Sequence, residues 1–246
     1  MNFFTSPMKA KLFTIPNLLT LANLLCGATG AVAALQWGDL TLAFVLMIAA
    51  AGFDFFDGLV ARLLGQDGTL GVQLDSLADD ISFGFLPAAV LFVLFGRMPG
   101  SWLPESAGVA VLLFAAFAAL RLAKFNVDDS QHAEFCGLPS PAAALFCASL
   151  GLLSERCGLV LPREAVLLIA LAVGVLMVSP VRMFALKFHG YGWKGNEVRY
   201  SFLVLGAGLL VALCWWAVPL IVALYVVVST AMWIACRPEN HRQTDK

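Results

Sequence analysis

The chain has 246 residues, of which 61% are hydrophobic and only 13% are charged, and its mean hydropathy is +0.87. Soluble domains are about 45–50% apolar and about 25% charged, and a compact soluble globule could not cover this much apolar surface. The net charge of −1 leaves no basic surplus for nucleic acid. Composition therefore excludes a soluble enzyme, a disordered tail, a disulfide-rich secreted domain and a nucleic-acid-binding protein.

Apolar runs recur along the whole chain, which predicts an all-α polytopic membrane helix bundle. A transmembrane helix needs about 20 apolar residues, with a range of about 17–25. We predict eight spans, with six or seven as alternative counts, because the fifth and sixth runs are short and the last two are barely separated. The predicted spans are 15–36, 40–63, 71–96, 104–124, 138–154, 164–181, 199–215 and 217–236.

The loop charges predict the orientation of the bundle. With eight spans both termini lie on one side, which then holds 12 of the lysines and arginines, against 3 on the other side. Lysine and arginine are enriched in cytoplasmic loops, so both termini are predicted to be cytoplasmic. The alternative is a cleaved signal peptide in the first run, but Pro16, Asn17, Thr20 and Asn23 are residues that a simple signal sequence does not need.

The second predicted span carries two acids and two small residues on one face. At 100° per residue, Asp54, Asp57, Gly58 and Ala61 fall within an arc of about 100°. The linker to the third span, 63–70, is short, so the two spans are expected to be antiparallel neighbours.

The third predicted span presents a matching face. Gly71, Asp75, Asp79 and Ser82 fall within an arc of about 80°, whereas Asp80 points away from that face. Four carboxylates, two from each span, are therefore expected to converge near the cytoplasmic ends.

Four converging acids need compensation, because one charge at the bilayer centre costs about 2.5–3.5 kcal/mol and mutual repulsion adds to this. Arg62 alone cannot neutralise them. Carboxylate oxygen ligands suit Mg²⁺, Mn²⁺ or Ca²⁺ rather than zinc. Two such ions can bind a diphosphate group. Two other interpretations stay open: an ion network with Arg62, Arg121 and Lys124, and a proton or cation relay in a transporter.

The order D-x-x-D-G-x-x-A-R-x8-G-x-x-x-D-x-x-x-D, from Asp54 to Asp79, resembles the signature of the CDP-alcohol phosphotransferase family. That resemblance implies a membrane enzyme that moves a phosphoryl-bearing group from a CDP-linked donor to an alcohol and releases CMP. Segments 15–27, 73–84, 120–126, 135–141 and 178–182 also resemble bacterial phosphatidylserine synthases.

The resemblance implies CDP-diacylglycerol and L-serine as substrates, phosphatidylserine and CMP as products, a homodimer, and a location in the bacterial inner membrane. It implies one membrane domain, 1–246, in which 1–198 form the catalytic core and 199–246 add two spans and a tail. Glycerol phosphate, inositol phosphate and choline are the alternative acceptors.

The resemblance also implies roles for individual residues. The expected metal ligands for two ions, Mg²⁺ or Mn²⁺ with Ca²⁺ as a further option, are Asp54, Asp57, Asp75 and Asp79, and Asp79 is also the expected general base. The expected CDP-diacylglycerol-binding residues are Asn17, Thr20, Gly58, Ala61, Arg62 and Gly71. The expected serine-binding residues are Arg121, Lys124, Asn126 and Arg182.

Several of these polar residues have a second interpretation. Asn17, Thr20 and Asn23 could form hydrogen bonds between helices in the bilayer. The basic residues, with Lys187 as a further candidate, could be charges that anchor the cytoplasmic ends of spans. Lys124 stands where an arginine is expected, which retains the charge but loses the planar bidentate fork.

Overall fold

The computed structural model describes residues 12–66, 68–98, 102–127, 135–183 and 197–240, and these ranges are almost entirely helical. The helices are α1 (Ile15–Val32), α2 (Leu40–Leu64), α3 (Thr69–Asp79), α4 (Leu86–Arg97), α5 (Leu113–Val127), α6 (Ser140–Cys157), α7 (Arg163–Val178), α8 (Glu197–Leu213) and α9 (Ala217–Asn240). Lys187 lies outside the described residues.

Five helical segments of the described chain are long and apolar enough to cross a membrane, so the protein is an all-α, multi-pass membrane protein. They are Ile15–Trp37, Leu40–Leu64, Thr69–Arg97, Glu105–Val127 and Tyr200–Ile234. Helices α6 and α7 have only 18 and 16 residues. The count of six to eight spans therefore stays a prediction.

Local capping fixes where the first two helices begin and where the second one ends. The Thr14 hydroxyl accepts a hydrogen bond from the Asn17 amide at the start of α1, and Asp39 caps the Leu42 amide at the start of α2. Helix α2 ends at Gly65, which has a left-handed φ of 60°. The connection to α3 is therefore 65–68, shorter than the predicted 63–70, because each helix extends beyond its apolar run.

The third predicted span is a long helical segment interrupted by a π turn at Asp80–Phe85, between α3 and α4. A π turn holds one residue more per turn than an α-helix and occurs often at functional sites. The spacing of 100° per residue applies to α3, which ends at Asp79, whereas Ser82 lies within the π turn. The structure buries Ser82 against α1, where its hydroxyl donates to the Asn23 carbonyl over 3.1 Å.

The bundle is held together by two clusters of buried apolar side chains that meet at α4. One contains Leu40, Phe83 and Leu152, and the other contains Phe95, Phe114 and further side chains from α6 and α7. Helix α4 contributes to both clusters and is buried along most of its length. The acidic half of the same segment, α3, has only Ala78 fully buried, so the apolar half anchors the acidic half.

A polar clamp closes the bundle at the ends remote from the α2–α3 connection. The Glu155 carboxylate accepts hydrogen bonds from the amides of Leu40 and Thr41 over 2.9 and 2.8 Å, and from Arg97 over 3.0 Å. The Arg97 guanidinium also donates to the Gly38 carbonyl. Burial alone would raise the pKa of Glu155, but the hydrogen bonds outweigh it and hold the pKa below its ordinary value.

One small sheet departs from the all-helical expectation. Strands β1 (Phe135–Cys136) and β2 (Arg182–Met183) pair in antiparallel fashion. Gly137 follows β1 with a φ of 82°, and a side chain there would collide with the Met177 carbonyl. The pairing ties the connection before α6 to the segment after α7, and thereby fixes the backbone at Arg182.

Candidate active site

Three of the four predicted metal ligands converge where α2 meets α3. One carboxylate oxygen from each of Asp54, Asp57 and Asp75 lies within 4.8 Å of the other two. Asp54 and Asp57 come from successive turns of α2, and Asp75 comes from the middle of α3. The short glycine-bounded connection brings the two helix faces together, as the periodicity of the sequence predicts.

Asp79 stands one turn beyond the acidic triad of Asp54, Asp57 and Asp75. Its carboxyl group lies within hydrogen-bonding reach of that of Asp54. One of its oxygens accepts a hydrogen bond from the Asn23 side-chain amide over 3.1 Å. Asp79 therefore lies next to the triad, and its carboxylate is bound by a residue of α1.

The neighbouring acid, Asp80, does not join the cluster. Its carboxyl group lies beside Gly84 in the π turn, and a side-chain carbon at Gly84 would also contact Ala118 of α5. This placement agrees with the expectation that Asp80 points away from the acidic face.

The donor set of the acidic triad fits a divalent cation. Among the described residues, no lysine or arginine forms an ion pair with Asp54, Asp57, Asp75 or Asp79. Asp75 Oδ1 is buried without a hydrogen-bond partner, a costly state for a carboxylate oxygen unless a cation or another ligand completes it. Three oxygen ligands of this kind suit Mg²⁺, Mn²⁺ or Ca²⁺.

A cavity of about 160 Å³ opens directly beside the triad, between α1, α2 and α3. Five of the six predicted CDP-diacylglycerol-binding residues line it together with two of the acids: Asn17, Thr20, Asp57, Gly58, Ala61, Gly71 and Asp75. Arg62 is the exception among the six. Its side chain is exposed and its Nε donates to the Gly58 carbonyl over 3.0 Å.

Two cavity residues on α1 also have protein partners. The Thr20 hydroxyl donates to Asp57 Oδ2 over 2.6 Å, and the Asn17 amide donates to the Leu12 carbonyl over 2.9 Å. The Thr20 bond to α2 agrees with the interpretation as a hydrogen bond between helices, whereas the Asn17 bond stays within the segment that leads into α1. Both side chains also line the cavity.

The predicted serine-binding residues lie on two segments, α5 and β2, and the structure brings Arg121 and Asn126 of α5 close to the acids. Arg121 of α5 donates to the buried Ser140 hydroxyl over 3.0 Å and interacts electrostatically with Asp79, while its Nε is buried without a partner. Asn126 donates to Ser76, next to Asp75, over 2.7 Å. Lys124 is exposed on α5, and Arg182 is exposed on β2.

Sequence reasoning missed two residues that touch this site, Ser76 and Tyr225. Asn23 is interpreted from the sequence as a residue that could form a hydrogen bond between helices in the bilayer, and its bond from α1 to Asp79 of α3 agrees with that interpretation. Ser76 links α3 to Asn126. Tyr225 of α9 interacts electrostatically with Arg121, although 199–246 carry no motif. A polar residue in an apolar run was the available signal for Tyr225, and Ser76 gave none.

Comparison with known proteins gives a consistent result. The sequence profile of the CDP-alcohol phosphatidyltransferase family matches residues 13–178. A CDP-diacylglycerol–serine O-phosphatidyltransferase of Helicobacter pylori strain J99 is 30% identical over 228 residues, covering 91% of this chain and 92% of the relative. The protein of that name from Methanocaldococcus jannaschii is 31% identical over 172 residues, covering 70% and 74% of the two chains.

The CDP-diacylglycerol–serine O-phosphatidyltransferase of Mycobacterium tuberculosis H37Rv is 37% identical over 150 residues, or 58% of this chain. The match spans 49% of that relative, so the chain covers about half the length of the mycobacterial proteins. The signature from Asp54 to Asp79 lies inside the profile match over 13–178, and it is the part of the fold in which the carboxylates converge. The chain therefore belongs to the CDP-alcohol phosphatidyltransferase family.

Proposed function

We propose that the protein is a phosphatidylserine synthase, which converts CDP-diacylglycerol and L-serine into phosphatidylserine and CMP. The observation that carries the proposal is the acidic triad beside a cavity that is lined by two of its acids and by the small residues Gly58, Ala61 and Gly71 of the family signature. Serine as the acceptor is supported by the relatives from Helicobacter pylori and Methanocaldococcus jannaschii, which are named CDP-diacylglycerol–serine O-phosphatidyltransferases.

In this proposal the cavity beside the triad holds the diphosphate end of CDP-diacylglycerol. Gly58 and Gly71 present no side chain, which lets phosphate oxygens approach the backbone closely. Asp54, Asp57, Asp75 and Asp79 would hold two divalent cations, Mg²⁺ or Mn²⁺ with Ca²⁺ as a further option. When bound, such ions neutralise the diphosphate and stabilise the charge that develops on the oxygens of the reacting phosphorus.

Asp79 acts as the general base in the proposed reaction. The serine hydroxyl oxygen attacks the β-phosphorus of CDP-diacylglycerol and forms the new P–O bond, while the P–O bond to CMP breaks and CMP leaves with its electron pair. The hydroxyl proton moves to the Asp79 carboxylate as the bond forms. Arg121 holds the serine carboxylate, with Lys124, Asn126 and Arg182 around it.

We further propose that the protein acts as a homodimer in the bacterial inner membrane, with both termini in the cytoplasm. The excess of lysine and arginine in the loops on one side supports this orientation. The domain division follows the same proposal, with 1–198 as the catalytic core and 199–246 as two added spans and a tail.

An acceptor screen tests the proposed reaction. Purified full-length protein in detergent micelles is given CDP-diacylglycerol, Mn²⁺ or Mg²⁺, and one alcohol at a time: L-serine, glycerol phosphate, inositol phosphate or choline. CMP release is followed together with the lipid product. We expect CMP and phosphatidylserine with L-serine, and only slow hydrolysis with the other three.

Two results would contradict the proposal. Preferred turnover with a phosphorylated alcohol would keep the family chemistry but reassign the acceptor. No CMP release with any alcohol, combined with cation-dependent uptake in proteoliposomes, would favour the transporter interpretation instead.

A further inference from the structure

Asn23 lies at the contact between α1 and α3, outside the family signature from Asp54 to Asp79. Its side chain is completely buried, with 0% exposure. The side-chain Nδ2 donates to Asp79 Oδ1 over 3.1 Å. Among the described residues, this is the hydrogen bond that reaches the proposed base from α1.

The backbone around Asn23 is held as firmly as its side chain. The Ser82 hydroxyl, in the π turn after Asp79, donates to the Asn23 carbonyl over 3.1 Å. One turn along α1, Gly27 packs against Ser82 so closely that a methyl group would overlap its Oγ and Cα. The amide of Asn23 therefore approaches Asp79 from a fixed direction.

An asparagine at this position is unfavourable for the stability of the fold if its only role is packing. Its Oδ1 is buried without a hydrogen-bond partner among the described residues. An unsatisfied buried polar atom costs about 1–3 kcal/mol, which an apolar side chain of similar size, such as leucine, would avoid. The burial cost is explained if the Nδ2 donor serves the reaction rather than the stability of the fold.

We infer that Asn23 is a positioning residue for Asp79, which fixes the carboxylate so that one oxygen is engaged and the other is left to receive the proton of the acceptor alcohol. The inference rests on the proposed function, in which Asp79 is the base. A carboxylate held by one hydrogen bond loses rotational freedom about its last torsion, and outer partners of this kind typically contribute about 10–100-fold to activity or metal affinity.

Three variants of the full-length protein separate positioning from packing. Asn23→Leu removes the donor and keeps the volume, and Asn23→Asp keeps the shape but replaces the donor with an acceptor. Ser149→Ala is the control, because Ser149 is also fully buried but donates only to the Phe146 carbonyl of its own helix. For each variant, kcat and both KM values are measured, with Mn²⁺ affinity from the electron paramagnetic resonance of free Mn²⁺ and Tm from thermal unfolding.

We expect Asn23→Leu to lower kcat by about 10–100-fold, with both KM values and the Mn²⁺ affinity within about threefold of wild type. Its Tm should equal or exceed that of wild type, since the unsatisfied Oδ1 is gone. Should Asn23→Leu fail to fold, Asn23→Asp decides, and its kcat should fall at least as far. Ser149→Ala should leave kcat unchanged.

Two results would overturn the inference. One is a kcat of the Asn23 variants within about twofold of the Ser149→Ala control. The other is a loss of Mn²⁺ affinity that parallels the loss of kcat, which would make Asn23 a support of the metal site as a whole. If another alcohol proves to be the acceptor, the proposed specificity for serine is wrong. The same comparison of variants is then made with that alcohol, since every alcohol must lose its hydroxyl proton.

Discussion

Thr20 Oγ1 lies 2.6 Å from Asp57 Oδ2 and joins the first helix to the acidic triad on the second. Asp57 is only 5% exposed, so this hydroxyl is a substantial part of its remaining polar environment. Hydrogen bonds to a carboxylate are shorter and roughly twice as strong as those between neutral groups. Thr20 is therefore a partner of the acids as well as a lining residue of the cavity.

Replacing Thr20 by valine should weaken divalent-metal activation. The substitution keeps the branched shape but removes the donor that fixes Asp57, and loss of such a partner typically costs about 10–100-fold in metal affinity or activity. The measurement is the Mn²⁺ concentration that gives half-maximal CMP release. Thr29→Val is the matched control, because Thr29 is on the same helix but is exposed. Equal activation constants for the two variants would contradict the role given to Thr20.

Asp79→Asn should lose turnover while retaining much of its binding of CDP-diacylglycerol. Removing a general base typically lowers the rate by about 10²–10⁴-fold, and a lost metal ligand could add to this. Turnover and the binding of radiolabelled CDP-diacylglycerol are compared with those of Asp80→Asn, whose carboxyl group lies beside Gly84 instead. A wild-type rate for Asp79→Asn would show that another group takes the proton.

Activity should depend strictly on a divalent cation, because the carboxylates of the site outnumber the cations near them and Asp75 Oδ1 is buried without a partner. Treatment with EDTA should abolish CMP release, and added Mg²⁺ or Mn²⁺ should restore it. Asp54→Asn and Asp75→Asn should raise the metal concentration needed. Full turnover by the chelated protein would exclude the proposed metal site.

Arg121→Ala should raise the KM for serine far more than the KM for CDP-diacylglycerol. Hydrogen bonds to charged groups contribute about 1.5–3 kcal/mol, which corresponds to about 10–150-fold in KM. Arg121 adjoins Asp79, whereas Arg182 is exposed on β2, so we expect a smaller effect for Arg182→Ala. Ser140→Ala is the control for disturbed packing, since it removes the partner of Arg121 but leaves the guanidinium in place.

Equal increases in both KM values for Arg121→Ala would indicate a diphosphate or folding role. A larger increase in the KM for serine with Arg182→Ala would instead assign the binding of the serine carboxylate to Arg182 on β2.

The clamp at Glu155 should make the fold sensitive to acid. The pKa of Glu155 in the folded protein lies below its ordinary value of 4.5, so its charge stabilises the fold above that pH. This contribution falls as the pH drops below 4.5 and vanishes below the folded-state pKa. Thermal unfolding in detergent should show a lower Tm for Glu155→Gln at neutral pH, with the difference from wild type shrinking in acid.

Glu105→Gln serves as the comparison, because Glu105 pairs with Arg163 but its side chain is 78% exposed. Surface pairs of that kind contribute little to stability. A Tm difference for Glu155→Gln that does not change with pH would contradict the electrostatic origin of the clamp.

The sequence was sufficient to locate the helices and the acids because both depend on local periodicity. Apolar runs predicted all-helical architecture, and 3.6-residue spacing put Asp54, Asp57 and Asp75 on facing surfaces, as the structure confirms. The assignment of each acid to a metal or to proton transfer stays a prediction.

Other features could not be predicted because they depend on contacts between distant segments. The π turn after Asp79 has no periodic signature, and Glu155 reaches the start of α2 across more than 100 residues of chain. The strand pairing of Cys136 with Arg182 joins two loops that are each unremarkable alone. The approach of Tyr225 to Arg121 likewise follows from the packing of α9 and from no motif.

The extra residue in the turn at Asp80–Phe85 rotates the side-chain faces of the two halves of one long helical segment relative to each other. It lets α3 direct its carboxylates at α1 and α2 while α4 directs apolar side chains at its own neighbours, although a continuous α-helix would couple the two orientations. Deleting one residue there would rotate one half against the other by about 100°. Substitutions in the acidic half and in the apolar half of this segment can therefore be tolerated independently of each other. The number of residues in the turn between the two halves cannot change.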